Sequence, residues 1–236
     1  MGDVELHHVQ SVDGRVSVGP YGELVPATAK FTQPMPDGNV LTVTDRGHAT
    51  VRDPAGGVVA EARFGRWIAH VLTTPTGYVW VGYIDEGVFG NGGPGAHGLV
   101  RFAPDLTVDW GCPEGLISDC YALNVDGETA WTCPYADFPV LRIRNGEIRE
   151  WRNPVAGAHG LLVHGSRVAL VSGYDLPHDR LTVGELRDEF HPTEEWTLTL
   201  PDGQPLPTDT YVVSRGADLH AMAGGNWYHL DLSWVG

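Results

Sequence analysis

Residues 67–110 read WIAHVLTTPTGYVWVGYIDEGVFGNGGPGAHGLVRFAPDLTVDW, and this stretch decides the fold. Four short apolar runs follow one another: Ile68–Thr73, Tyr78–Tyr83, Gly98–Phe102 and Leu106–Trp110. Pro75-Thr76-Gly77 joins the first two, a long Gly-rich loop the second and third, and Ala103-Pro104-Asp105 the last two. Gly and Pro-Asp supply the dihedral values that reverse a chain within a few residues. The stretch therefore predicts a four-stranded antiparallel meander.

Working outward, weaker copies flank it. Before it stand Thr28–Thr32, Val40–Thr44, His48–Arg52 and Val58–Phe64. After it come Cys120–Val125, Thr129–Cys133, Val140–Arg144 and Ile148–Trp151, then Gly160–His164, Arg167–Ser172, Leu181–Leu186 and a strand near Trp196–Leu200. A fifth copy, Thr210–Ser214, Asp218–Ala223 and Trp227–Leu232, ends one strand short. The turn glycines Gly38, Gly77, Gly127, Gly165 and Gly216 are 39, 50, 38 and 51 residues apart. Spacing of about 40–50 residues belongs to β-propeller blades. The prediction is an all-β single domain of five blades, over 28–64, 67–110, 118–151, 158–200 and 208–232. The N-terminal strand 4–10 supplies the missing fourth strand and closes the ring, which removes two open sheet edges. A hairpin turning at Asp13-Gly14 into Arg15–Val18 is also expected. Phe64, Trp110, Trp151 and Trp196 end outer strands and are read as packing between blades.

Composition agrees and also excludes. With 31 Gly, 17 Pro and 19% charged residues, the 236-residue chain suits many short strands joined by turns. No apolar run approaches the ~18 residues of a membrane span, and the N-terminus lacks the basic and apolar regions of a signal peptide. Three cysteines argue for a reducing compartment, so a cytoplasmic location is expected; a monomer is expected as well. A net charge of −15, with scattered basic residues, opposes nucleic acid and anionic lipid as partners.

Gly77-Tyr78-Val79-Trp80-Val81-Gly82, then Gly98-Leu99-Val100-Arg101-Phe102 with its Pro-Asp turn, resembles blades of streptogramin-lyase-like, NHL and two-component-regulator propellers. The stretch Trp80–Asn91, with Asp119-Cys120-Tyr121-Ala122-Leu123-Asn124-Val125, is similar to uncharacterised actinobacterial propeller proteins over most of residues 70–175. The resemblance implies a fold and no reaction. The catalytic His and Glu of the seven-bladed streptogramin lyases find no matching positions, so that activity is not carried over.

In a propeller the long, irregular loops gather on one face, and here they carry most of the chemistry. Asp119, His159 and Asp209 stand near the starts of innermost strands, and His70 lies within one. Two imidazoles and two carboxylates match a divalent metal in the central channel by ligand type, against a solvated polar channel without metal. Counted back from the turn glycines, the registers differ: seven residues for His70 and Asp209, eight for Asp119, six for His159. A one-residue slip turns a side chain to the other face.

Asp119, His159 and Asp209 are the candidate catalytic residues, with Glu86, Glu114 or Asp137 as a loop-borne acid. Five-bladed propellers, similar in blade count, include glycosidases with three acids at the channel mouth, some with a metal held by His. Tyr83, Asp85, Glu86, Asn91, His97, Tyr121, Tyr135, Asp137 and Tyr174 are the expected ligand-binding residues, aromatic rings for stacking and polar groups for hydroxyls. Phe89 and Phe138 are expected to fold back and anchor their loops. Cys120, opposite Cys133 in the hairpin turning at Asp126-Gly127, is read as a half-buried strand residue and not as a nucleophile. The functional reading is small polar ligand recognition with hydrolase or lyase chemistry. The alternative is a non-catalytic glycan- or protein-binding module.

Overall fold

The computed structural model describes residues 2–5, 7–9, 28–90 and 92–235. The expected hairpin at Asp13-Gly14 and the ligand residue Asn91 lie outside them. The N-terminal strands are β1 (Gly2–Glu5) and β2 (His7–Val9). The first blade is β3 (Ala29–Pro34), β4 (Val40–Thr44), β5 (His48–Arg52) and β6 (Val58–Arg63), and the second is β7 (Ile68–Thr73), β8 (Val79–Tyr83), β9 (Leu99–Phe102) and β10 (Val108–Gly111). The third is β11 (Asp119–Asp126), β12 (Thr129–Tyr135), β13 (Val140–Arg144) and β14 (Glu147–Trp151). The fourth is β15 (Gly160–His164), β16 (Arg167–Val171), β17 (Arg180–Leu186) and β18 (Phe190–Thr199). The fifth is β19 (Tyr211–Arg215), β20 (Asp218–Ala223) and β21 (Asn226–Asp231), completed by β2. Five successive antiparallel meanders of four strands define a five-bladed β-propeller.

The N-terminal segment does more than the sequence suggests. Residues 4–10 read as one strand, but His7–Val9 pairs antiparallel with β21, whereas Gly2–Glu5 pairs in parallel with β18. The open edge of β18 offers unpaired backbone groups, and a parallel fifth strand satisfies them. The segment therefore joins two blades.

The residues fall into two compact units. One holds the described residues of Ser17–Cys120 with Pro134–Ala136, and the other those of Met1–Val16, Tyr121–Cys133 and Asp137–Gly236. In the first, a core of Phe31, Leu41, Val43, Phe64, Val81, Val100 and Phe102 spans the first and second blades. Phe64 stacks on Phe102 with ring centroids 4.1 Å apart, the inter-blade packing expected of it. In the second, Trp151 lies 5.8 Å from Trp131 and donates its indole N–H to the Arg187 carbonyl of the fourth blade at 3.0 Å. Trp110 and Trp196 are only half-buried. Among the described residues no helix is long and apolar enough to cross a membrane.

Candidate functional site

The Gly-rich stretch after β8 folds into a single helical turn at Asp85–Val88 and a 3₁₀ turn at Pro94–His97. Its glycines allow close packing. A Cβ on Gly95 would fall 2.6 Å from the Gly87 carbonyl oxygen, and one on Gly87 would fall 3.1 Å from Tyr83 Cβ. Tyr83 forms the floor under this loop. It is fully buried, and its hydroxyl donates to the Phe64 carbonyl. Burial pushes its phenol up, far from ionisation at neutral pH. The expected ligand-stacking role of Tyr83 is therefore corrected to a core role, because every residue of β8 is buried. Tyr83→Phe is expected to cost about 1–2 kcal/mol by leaving that carbonyl unpaired, with ligand affinity unchanged. Denaturant unfolding beside a binding titration checks both halves.

His97 also turns inward. A carbonyl can only accept, so Nδ1 carries the proton and donates to the Cys112 carbonyl at 2.8 Å. The ring lies over Gly111, where an added Cβ would come within 2.8 Å of it. His97 thus clasps the loop to β10.

Asp119, the first residue of β11, belongs to the same unit as this loop. A Cβ on Gly82 would fall 2.5 Å from Cys120 Sγ and 3.6 Å from His70 Cδ2, so the missing side chain lets β11 begin against β7 and β8. Asp119 Oδ1 is buried and has no hydrogen-bond partner among the described residues. Its carboxyl is pushed up to about 6, first by burial and then by the charges of Asp85 and, more weakly, Glu86, against an opposing hydrogen bond from the Asp85 backbone. Asp85 and Glu86 are themselves exposed. Next to Asp119, the Ser118 amide donates to the Tyr135 carbonyl at 3.1 Å, and the Tyr135 side chain is 46% exposed. One unit therefore brings together Asp85, Glu86, Asp119 and Tyr135, with His70 nearby on β7 beside Cys120.

The other unit collects the remaining aromatics. Tyr174 donates to Tyr121 across 2.6 Å between the hydroxyl oxygens, and its ring meets Phe138 edge-on at 5.2 Å. Phe138 is buried and anchors its loop, as expected, through positive φ at Asp137 and Phe138 and a bond from Asn153 Nδ2 to its carbonyl. Phe89 does not fold back; it is 74% exposed. Asp137 is exposed, while Tyr174 is 57% exposed above Gly157, whose Cβ would lie 2.5 Å from the ring. His159 is held below the ordinary imidazole range by partial burial and by the neighbouring His178. His178 in turn donates from Nε2 to the Leu206 carbonyl at 2.6 Å. Asp209 is exposed on the turn before β19.

Among the described residues, no group of three or more His, Cys, Asp or Glu side chains is arranged to hold a metal ion. His70 and Asp119 belong to one unit, His159 and Asp209 to the other. Cys112, Cys120 and Cys133 are buried thiols outside any disulfide, and burial pushes Cys112 and Cys133 up to about 12. Cys112 and Cys133 therefore stay protonated at neutral pH.

No protein-family model and no curated protein matches the chain in sequence. Its fold is similar to several solved β-propeller structures. A gluconolactonase from Xanthomonas campestris is 15% identical, with a TM-score of 0.53 over 88% of this chain and 74% of its own. A chain of the mitotic checkpoint complex is 8% identical, with a TM-score of 0.56 over 86% of this chain and 63% of its own. PorZ, a surface component of the type-IX secretion system of Porphyromonas gingivalis, is 11% identical, with a TM-score of 0.56 over 86% of this chain and 26% of its own. The chain thus spans about three-quarters of the first and under two thirds of the other two. Such likenesses establish the propeller fold, which hosts both an enzyme and parts of protein assemblies.

Proposed function

We propose that the chain recognises a small polyhydroxylated ligand and hydrolyses an ester, lactone or glycosidic bond in it. Asp119 is the proton donor, and Asp85 or Glu86 is the carboxylate that activates water. One observation carries this reading: Asp119 holds a buried oxygen with no partner among the described residues, beside two exposed carboxylates, and is pushed up to about 6. Neighbouring carboxyls held in unlike environments divide the acid and base roles. Asp119 gives its proton to the leaving oxygen as that bond breaks, while the exposed partner takes a proton from the attacking water. Tyr135, partly exposed beside Asp119, supplies a ring against which the ligand packs. The structural likeness to a gluconolactonase is compatible with this class of chemistry. Kinship with actinobacterial propellers, suggested by the resemblance over most of residues 70–175, is part of the same proposal.

The test is a panel of sugar lactones, aryl esters and aryl glycosides, followed from pH 4 to 9. Since the donor must hold its proton, turnover is expected to fall as pH rises through about 6. Turnover that instead rises through that region would make Asp119 a base and overturn the assignment.

A second reading, a glycan-binding module, is favoured by the Tyr121–Phe138–Tyr174 cluster, which presents one exposed ring held by a hydroxyl bond and an edge contact. Under it, Tyr174→Ala weakens glycan binding about tenfold without touching turnover. Asp119→Asn would leave that affinity intact.

A further inference from the structure

The basic residues look scattered along the chain, yet the third blade gathers three of them around one cleft. In the β13–β14 hairpin Arg142 stands directly opposite Arg149, and Arg144 opposite Glu147. A cleft of about 390 Å³ is lined by Arg142, Arg144, Asn145, Glu147, Ile148 and Arg149. Like charges directly across a ladder destabilise a sheet, so the Arg142–Arg149 pair is not there for pairing energy. None of the three arginines forms an ion pair among the described residues, although Glu147 lines the same cleft. Two of them are held in place by rings. Arg142 lies 5.8 Å from the Trp131 centroid and 5.7 Å from that of Trp151, and Arg149 lies 4.4 Å from that of Trp151. Cation–π contact fixes a guanidinium by its face and leaves its edge N–H donors directed outward.

We propose that this cleft binds the phosphate or pyrophosphate group of a small molecule. A single carboxylate is satisfied by one guanidinium fork. Three forks without a protein carboxylate on them match a compact group of higher charge, and the Asn145 amide adds a donor at the turn. Glu147 accepts a hydroxyl of the same ligand. The cleft has the volume of a small-molecule site, and a net charge of −15 opposes an extended polyanion. This site is separate from the carboxylates around Asp119 and stands whether or not that reading holds.

The experiment is calorimetric titration of the whole chain with inorganic pyrophosphate and inorganic phosphate, at ionic strength held constant with chloride. Saturable one-to-one binding is expected, tighter for pyrophosphate. Arg142→Gln and Arg149→Gln should each weaken it about tenfold or more. Arg149→Lys should weaken it as well, because the charge stays while the fork is lost. Arg52→Gln, the same charge change in the first blade, should leave it unchanged. Where removing a ring-stacked arginine disturbs folding, Arg144→Gln gives the same reading without breaking a ring contact. Non-saturable binding, or equal losses from Arg52→Gln, would overturn the proposal. So would a single-stranded oligonucleotide that binds more tightly than pyrophosphate.

Discussion

Asp119→Asn is expected to lower any hydrolytic turnover by about 10²–10⁴-fold, the usual contribution of a positioned general acid. The same change should make the protein more stable at pH 8. The folded-state carboxyl is raised from 3.8 to about 6, so between those values the folded chain holds the proton more tightly than the unfolded chain. Stability linked to this group is therefore full at low pH and is lost as pH rises through about 6. The side chain is only half-buried, and solvent screening reduces the effect to about 1 kcal/mol, or roughly 2–4 °C in melting temperature. Asn carries no charge at any pH and escapes that loss. Melting curves of both proteins should differ more at pH 8 than at pH 4.5, which lies only just above the unfolded value. A site that trades stability for a displaced pKa is the expected signature of catalysis. If Asp119→Asn left both turnover and the pH dependence of melting unaltered, Asp119 would be a solvated strand residue. Asp85→Asn supplies an independent check. Removing the larger of the two repelling charges lowers the Asp119 value, so the pH-dependent loss of stability should move to lower pH in melting curves, a readout independent of turnover.

The blades were legible because turn residues and strand residues alternate at a constant period. The limits of β4, β5, β7, β13, β15 and β20 match the apolar runs residue for residue. What escaped depended on partners distant in the chain. Phe190–Thr199 contains His191-Pro192-Thr193-Glu194-Glu195, which reads as loop, and only its last residues were expected as strand. It extends to Phe190 because Pro192 lies opposite Gly184, where a register shift absorbs the missing N–H. The site was read in the same partial way. Asp119 was visible from its place before an innermost strand. Its link to Asp85 and Glu86 depends on how a loop packs through Gly87 and Gly95, which strand periodicity does not encode. Tyr83 stands where β8 passes into the long loop and so reads as a loop-face residue, but the loop folds over it and leaves β8 with no wet face. The three arginines of the cleft became neighbours only through the register of one hairpin.

Asn124→Ala should have the largest effect on stability. Asn124 sits in the apolar run Ala122-Leu123-Asn124-Val125 and is completely buried. Nothing in that run announces its role. Its Nδ2 donates to the Leu161 carbonyl at 2.6 Å and to the Gly216 carbonyl at 2.8 Å, while its Oδ1 accepts from the Gly216 amide at 2.8 Å. One side chain thereby ties β11 to β15 of the fourth blade and to the turn between β19 and β20 of the fifth. Each bond contributes about 1 kcal/mol, and a truncated side chain also leaves buried polar atoms short of a partner. Gly216 keeps other backbone bonds, to Val125 and from Val163, which limits the cost. The expected loss is about 3 kcal/mol, or roughly 6–12 °C. It should appear as a lower denaturant midpoint with an unchanged slope. Asn124→Asp separates geometry from chemistry, since an ionised carboxylate can accept from the Gly216 amide but faces two carbonyl oxygens. That variant should be destabilised at pH 7 and recover as pH falls, because a protonated carboxyl donates again to one of them. A loss below about 1 kcal/mol in Asn124→Ala would mean that apolar packing alone holds these three blades together, and the polar tie would lose its assigned role.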